Sequence, residues 1–269
     1  MKPYFICDLG SCHQNNFEET KSFINGLNIA GVDAIKFQYW SDPEAFAVAR
    51  HHPELMEQYF KWGTDLEFLK KMQEVAINEE MDFICSVFLE KDVEVIAPYV
   101  DHFKIASLEA KDRKLLYEVD RYSFGKDILV STGCTTQDDM QYFNALRENR
   151  LTQKLHSRVQ LLHCISSYPA EPKEMNLKSL QNNRLDGLSD HSCNWIAPVV
   201  ALAFGARIFE FHGRLDETPE ECPDERHSMT LGLIEEYVGA VIAAQEMFGS
   251  PLREITEGEQ ALISYRRET

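Results

Sequence analysis

The chain of 269 residues is short of the features that usually place a protein at first sight. No stretch approaches 18 consecutive apolar residues, which argues against a helical membrane span. The opening MKPYFICDLG reaches an acid and a glycine too soon for a secretory signal, so a cytoplasmic protein is expected. Positive charge is scarce: 27 Lys and Arg stand against 44 Asp and Glu, a net charge of −17, which argues against a nucleic-acid surface. The seven cysteines are odd in number and never spaced C-x-x-C, which points to free thiols in a reducing compartment rather than a disulfide framework. Cys85 and Cys164 lie in apolar runs and are expected in the core. Neither a G-x-G-x-x-G nor a Walker-type loop occurs, which removes the main support for a doubly wound open sheet.

What is there is a rhythm. Eight short strand-like runs occupy 4–10, 34–38, 82–88, 102–107, 128–133, 159–164, 185–191 and 207–212. Helical patterns follow most of them, over 17–31, 64–80, 92–100, 112–122, 136–149, 175–183, 194–206 and 228–249. Thr64 is placed to cap the second of these, with Glu67 at the capping-box position. Strands alternating with helices imply parallel pairing, and eight such units predict a single (β/α)8 TIM barrel over residues 1–250. Residues 251–269 form a polar tail. Two stretches interrupt the rhythm. The aromatic-rich segment 39–63 is a lid, a substrate wall or an extra surface helix, and 213–228 is a loop beside the proposed site.

The carboxyl ends of barrel strands carry the chemistry of this fold. Lys36 and Lys104 each sit inside an apolar run, where an unpaired ammonium is strongly unfavourable. Each must meet a buried acid (Asp8, Asp190 or Glu109) or serve an anionic ligand. Four strand-end hydroxyls, Ser86, Ser107, Ser131 and Ser189, favour a clamp for a phosphate or carboxylate. His191 and His212 end successive strands and so come side by side, a pair suited to a divalent metal of the Mn, Zn or Mg type. Asp190 and Glu210 are placed to orient those imidazoles. His163 reads as structural or substrate-facing, and His13 as an acid or base.

The motifs KFQ (36–38), KIAS (104–107), STG (131–133), LLHC with YP (161–169), LSDH (188–191), EFH (210–212) and PD with a following serine (223–228) occur in a collinear set. On them the chain resembles the N-acetylneuraminate (sialic acid) synthase family, which includes pseudaminic and legionaminic acid synthases. The resemblance runs from Asp8 to about Arg267. It implies condensation of phosphoenolpyruvate with an N-acetylated sugar aldehyde of the N-acetylmannosamine type, giving a 2-keto-3-deoxy nonulosonic acid and phosphate. It also implies a divalent metal, manganese with magnesium or cobalt as alternatives, on His191 and His212. Lys36, Lys104 and the four serines would grip phosphoenolpyruvate. Gln38, Glu109, Tyr168 and Asp224 would surround the sugar or the reacting centre. The family's first strand ends in a glutamate assigned to acid–base work; Asp8 stands there in this chain. Ser166 replaces an asparagine next to the YP tyrosine. His13 keeps its place without its usual neighbours. The family's small C-terminal antifreeze-like domain, which helps clasp a homodimer and lends an arginine to the partner's pocket, would begin where the sequence reaches SYRRET. Two other functions fit the same residues: a metal-dependent aldolase or isomerase on a sugar phosphate, and a catalytically weak phosphoenolpyruvate-binding module. Were Lys104 to face no acid, Lys104→Met would be neutral or stabilising for the empty barrel.

Overall fold

Strand and helix alternate as the periodicity predicts, and the strands close on themselves. A computed structural model describes residues 2–152 and 158–267. In chain order the elements are β1 (Tyr4–Asp8), α1 (Phe17–Ile29), β2 (Ala34–Tyr39), α2 (Pro43–Ala49), α3 (Met56–Trp62), α4 (Leu66–Asn78), β3 (Asp82–Val87), α5 (Glu90–Ile96), β4 (His102–Ile105) and α6 (Arg113–Tyr122). They continue with β5 (Ile128–Ser131), α7 (Gln137–Thr152), β6 (Val159–Cys164), α8 (Ser179–Asn182), β7 (Gly187–Asp190), α9 (Ile196–Ala203), β8 (Ile208–Gly213), β9 (Ser228–Met229), α10 (Leu231–Glu246) and α11 (Glu257–Gln260). Strands β1 to β8 pair in sequence order, all parallel, and β1 also pairs with β8, which closes the barrel. Among the described residues no helix is long and apolar enough to cross a membrane.

Alternation along each strand sorts residues to two faces. Outward side chains such as Phe5, Ile35, Phe83, Phe103, Val130 and Phe209 join the helices in the main core. Inward ones form a separate apolar plug of Ile6, Ala34, Ile84, Leu129, Leu162 and Ile208, with Tyr4 beneath. Two residues further along the same strands stand Asp8, Lys36, Ser86, Ser131, Cys164 and Glu210. One barrel layer is therefore hydrocarbon, and the layer above it is almost wholly polar. That step fixes the floor of the site.

Helix starts are capped by short acceptors, as expected of chain entering a helix from an extended loop. Asn16, Asp42 and Asp112 cap α1, α2 and α6. The cap of α4 is Asp65, not Thr64: its carboxylate accepts from the N–H groups of Glu67 and Phe68. The Thr64 hydroxyl is engaged instead with His13 Nε2 at 3.0 Å. A carboxylate is the stronger acceptor for helix N–H groups, and it wins a contest one residue wide.

Segment 39–63 holds α2 and α3, joined by a 3-10 turn at Pro53–Leu55. A small aromatic core of Trp40, Phe46 and Phe88, with Tyr59 against it, fastens this pair to the barrel mouth. It is both extra helix and cavity wall, since Arg50 at its end and Phe88 beneath it line the site. Segment 213–228 returns to the barrel through β9, where Ser228 registers with His212. Residues 251–267 are exposed and include α11.

Candidate active site

A cavity of about 250 Å³ opens at the carboxyl ends of the strands, above the polar layer. Register sets its geometry. Asp8 is paired across the sheet with Lys36 on one side and with His212 on the other. Ser86 is paired with Lys104, and Ser189 with Glu210. Residues far apart in sequence thus meet at one height.

Both lysines face acids. Lys36 Nζ lies 2.5 Å from Asp8 Oδ2 and 3.2 Å from Ser86 Oγ. Gln38 Nε2 donates to the same Asp8 oxygen at 3.0 Å. Burial alone would push the Asp8 carboxyl up, but the Lys36 ammonium and the His212 ring outweigh it and hold it below its ordinary value. Burial likewise works against the Lys36 ammonium, and the carboxylates of Asp8 and Glu210 overcome it. Lys104 donates to Ser131 Oγ at 2.8 Å and to the Ile105 carbonyl at 3.1 Å, and lies 3.5 Å from Glu210 Oε1. Its acid is Glu210, not one of the three acids named from sequence. Here burial prevails, and the Lys104 pKa is lowered despite Glu210. Ser189 Oγ also donates to Glu210, at 2.9 Å.

Glu210 therefore belongs to the lysine–serine set and does not orient the imidazoles. Asp190 does not either. It points away from the barrel axis, accepting from Tyr237 Oη at 3.2 Å and from the Ser192 N–H at 2.8 Å. The alternation of strand faces explains this: its neighbour Ser189 points in. Ser107 lines the cavity and accepts from the Gly133 N–H at 3.1 Å. Cys164, expected in the core, is buried but lies on the cavity wall, two residues above Leu162.

Glu109 is not on the cavity wall among the described residues. It holds Arg50, which is: Arg50 Nε and Nη2 both lie 2.9 Å from Glu109 Oε1. The guanidinium also rests on the rings of Phe46 and Phe88, at 4.6 and 5.3 Å. Burial pushes the Glu109 carboxyl up, against the pull of Arg50. Ser166 is also absent from the wall; it lies behind Gly133, next to Ser107. Arg50 had no sequence signal, because it sits in a segment without a motif.

The imidazoles gather beside Asp8, whose Oδ2 lies 3.6 Å from His212 Nε2. His191 and His212 face each other with ring centres 5.3 Å apart, and His227 joins them at 5.8 and 4.7 Å. Tyr168 packs over His191 and His227 at 4.5 and 4.9 Å. His227 was missed from sequence; it reaches the site because β9 pins the end of its loop beside His212. Donor atoms of His212, Asp224 and His227 all lie within 4.8 Å of one another. The tightest cluster of ligand atoms thus shares His212 with the expected pair but brings in Asp224 and His227. Burial, together with the neighbouring rings, pushes the His191 pKa well down; burial also lowers that of His212, against Asp8. Neutral imidazoles have free lone pairs, and His212 Nδ1 is buried with no hydrogen-bond partner among the described residues. Asp224 is held well below its ordinary pKa, because His227, His212 and Ser11 outweigh its burial. Two or three imidazoles and a carboxylate are a donor set that fits a divalent transition metal.

Asp224 owes its place to Gly10. The backbone there is left-handed, with φ +48°, and the Asp224 carboxylate fills the space a side chain would take. Gly10→Ala is expected to lower stability by about 1–3 kcal/mol from backbone strain alone. It should also weaken metal binding by displacing Asp224. Thermal melts with and without Mn²⁺ check both effects.

The two other histidines singled out from the sequence, His163 and His13, lie outside the cavity. His163 bridges the Met175 carbonyl at 2.7 Å and Ser179 Oγ at 3.0 Å, a structural role. His13 stacks on Phe68 at 4.9 Å, and burial drives its pKa down to about 4. It does not line the site.

A (β/α)8 barrel whose catalytic face unites lysines, hydroxyls and a histidine–carboxylate cluster has the construction of a barrel enzyme. A family model described as the NeuB family matches residues 23–253. The chain belongs to the NeuB family. It is similar to pseudaminic acid synthase of Campylobacter jejuni, at 30% identity over 95% of this chain and 78% of that protein. It is also similar to human (Homo sapiens) N-acetylneuraminate-9-phosphate synthase, at 24% identity over 96% of this chain and 74% of that one. The fold matches that of the N-acetylneuraminic acid (sialic acid) synthetase of Leptospira borgpetersenii serovar Hardjo-bovis, solved in complex with citrate. There the TM-score is 0.84 at 23% identity, covering 99% of this chain and 92% of that one.

Proposed function

We propose that this barrel joins phosphoenolpyruvate to the open-chain aldehyde of an N-acetylated sugar, giving a sialic-type 2-keto-3-deoxy acid and inorganic phosphate. One observation carries the reading: within a NeuB-family chain, two buried lysines and four serine hydroxyls meet a histidine–carboxylate cluster across a single cavity.

Lys36 and Lys104 supply the charge for the phosphate and carboxylate of phosphoenolpyruvate, and Ser86, Ser107, Ser131 and Ser189 add neutral donors. Each lysine already has an acid, Asp8 or Glu210, so the cavity tolerates its own cations when no anion is bound. Arg50, held by Glu109 and the two phenyl rings, faces the cavity from the inserted helices, where the sugar would enter. Glu109 then acts as a positioning residue. Gln38, Tyr168 and Asp224 line the remaining wall.

In the reaction the enol double bond of phosphoenolpyruvate supplies the electrons for the new carbon–carbon bond. The aldehyde oxygen takes up a proton. Water adds at the former enol carbon, and phosphate leaves. Asp8, kept ionised beside Lys36, is placed to take the proton of that water, and the high pKa of Lys36 keeps its ammonium a cation throughout. His212, His227, Asp224 and His191 would hold a divalent metal, manganese by preference. Its contribution when bound is Lewis-acid polarisation of the aldehyde.

The test is phosphate release on incubation with phosphoenolpyruvate, Mn²⁺ and a panel of N-acetylated hexosamines and other aldoses. Release that requires both an acceptor and phosphoenolpyruvate supports the proposal. Silence across the panel from metal-loaded protein contradicts it, and binding of phosphoenolpyruvate without turnover would indicate a binding module. Stabilisation by sugar phosphates but not by phosphoenolpyruvate would indicate an aldolase or isomerase.

A further inference from the structure

We propose that Cys12 and Cys222 form a reversible dithiol–disulfide site through which a peroxide switches off the cavity. Their sulfur atoms lie 3.8 Å apart, across 210 positions of sequence. Cys12 is in the loop between β1 and α1, and Cys222 is in the loop between β8 and β9. Both are buried, Cys222 with 2% exposure. Neither has a part in the reaction above, and neither packs as an ordinary core residue: both sit in a polar seam. Cys12 Sγ is also 3.7 Å from Ser228 Oγ, and Cys222 Sγ is 3.2 Å from Ser11 Oγ.

The seam leads to Asp224. Ser11 Oγ lies 2.6 Å from Asp224 Oδ2, and the Ser11 N–H reaches the same oxygen at 2.7 Å. A serine hydroxyl has one proton, and a carboxylate can only accept. The Ser11 proton is thus committed to Asp224, and Cys222 S–H donates to Ser11 Oγ. A chain of donors runs from Cys222 through Ser11 to Asp224.

Oxidation breaks that chain. One thiol attacks the peroxide, its sulfur takes an oxygen to become a sulfenic acid, and one water leaves. The second thiol displaces hydroxide from that sulfur, the S–S bond forms, and its proton leaves in a second water. Two thiols are oxidised and the peroxide is reduced to two waters. The sulfurs must close from 3.8 Å to about 2.05 Å, a bond's length. That displacement is shared by two loops, one of which carries Asp224 two residues beyond Cys222. Misplacement of a site group by about 1 Å can cost about a hundredfold in rate, so a fall of about tenfold or more is expected.

The experiment uses the whole chain, reduced, then treated with a few equivalents of hydrogen peroxide, alkylated and mapped by peptide mass spectrometry. The expected result is a Cys12–Cys222 crosslink that forms ahead of disulfides involving exposed Cys134, with Mn²⁺ affinity and turnover both reduced and both restored by dithiothreitol. Cys12→Ala should keep its starting Mn²⁺ affinity and lose the response to peroxide. Peroxide treatment that modifies Cys134 and leaves Cys12 and Cys222 as free thiols overturns the proposal. So does a crosslink that leaves Mn²⁺ affinity unchanged. Mapping and metal affinity need no acceptor sugar, so failure of the proposed condensation would leave this test intact, and the unaltered chain decides it should the variant fold poorly.

Discussion

His212→Ala is expected to lower metal-dependent turnover by more than the ~10–100-fold that follows loss of a group behind a metal ligand. The ring stands at the meeting of three sets of groups. It is within 3.6 Å of Asp8, its donor atoms cluster with those of Asp224 and His227, and it faces His191. It thereby joins the histidine cluster to the Asp8–Lys36 pair. The fold should persist, since the apolar plug beneath is untouched; circular dichroism and a thermal melt check this. Mn²⁺ binding, followed by calorimetry or electron paramagnetic resonance, should weaken with activity. The same assay on His227→Ala and His191→Ala tells the close cluster from the strand-end pair. A loss in His227→Ala greater than in His191→Ala favours the close cluster. Unchanged turnover in His212→Ala removes the metal assignment altogether.

Lys104→Met is the second variant with a large expected effect. Truncating one partner of a buried, hydrogen-bonded charge pair costs about 2–5 kcal/mol. For phosphoenolpyruvate affinity that is a fall of about thirtyfold or more. The variant should also be less stable when empty, because Glu210 would be left buried without its cation. The neutral or stabilising outcome expected for a lysine facing no acid is thereby reversed. Lys104→Met combined with Glu210→Leu should recover stability but not binding, and urea melts beside titration calorimetry separate the two. A pH signature follows as well. The lowered pKa of Lys104 means that it loses its proton at a pH below that of an ordinary lysine, and the protonated form is the one that attracts an anion. Phosphoenolpyruvate affinity should therefore fall as pH rises through that lowered value. The fall should be absent in Lys104→Met.

Much of this site could be read from the chain alone, for identifiable reasons. A lysine inside an apolar strand is conspicuous, because burial of its charge demands a partner. The (β/α)8 alternation then brings strand-end residues to one face whatever their spacing. Asp8, Lys36, Ser86, Lys104, Ser131, His191 and His212 were visible on those grounds, and all line the cavity. The errors have equally specific causes. Asp190 was assigned to the imidazoles by proximity in sequence, although adjacent strand residues face opposite sides. Glu210 was assigned with it, although it lies two residues above Ile208 and so shares the floor with Lys104. His227 and Arg50 depend on irregular segments. One is carried in by the two-residue strand β9, the other by α2 on its aromatic mini-core, and neither segment has a period from which register could be deduced. Glu109 was legible as a site residue by resemblance, but its partner was not, so its task of holding Arg50 emerged only with coordinates.

The central claim is that Lys36 and Lys104 make this cavity a receptor for phosphoenolpyruvate. Titration calorimetry of the metal-loaded protein with phosphoenolpyruvate tests it most directly. One saturable site per chain, weakened about thirtyfold or more in Lys104→Met, is the predicted result. An isotherm showing no saturable site, or one that Lys104→Met leaves unchanged, would contradict it.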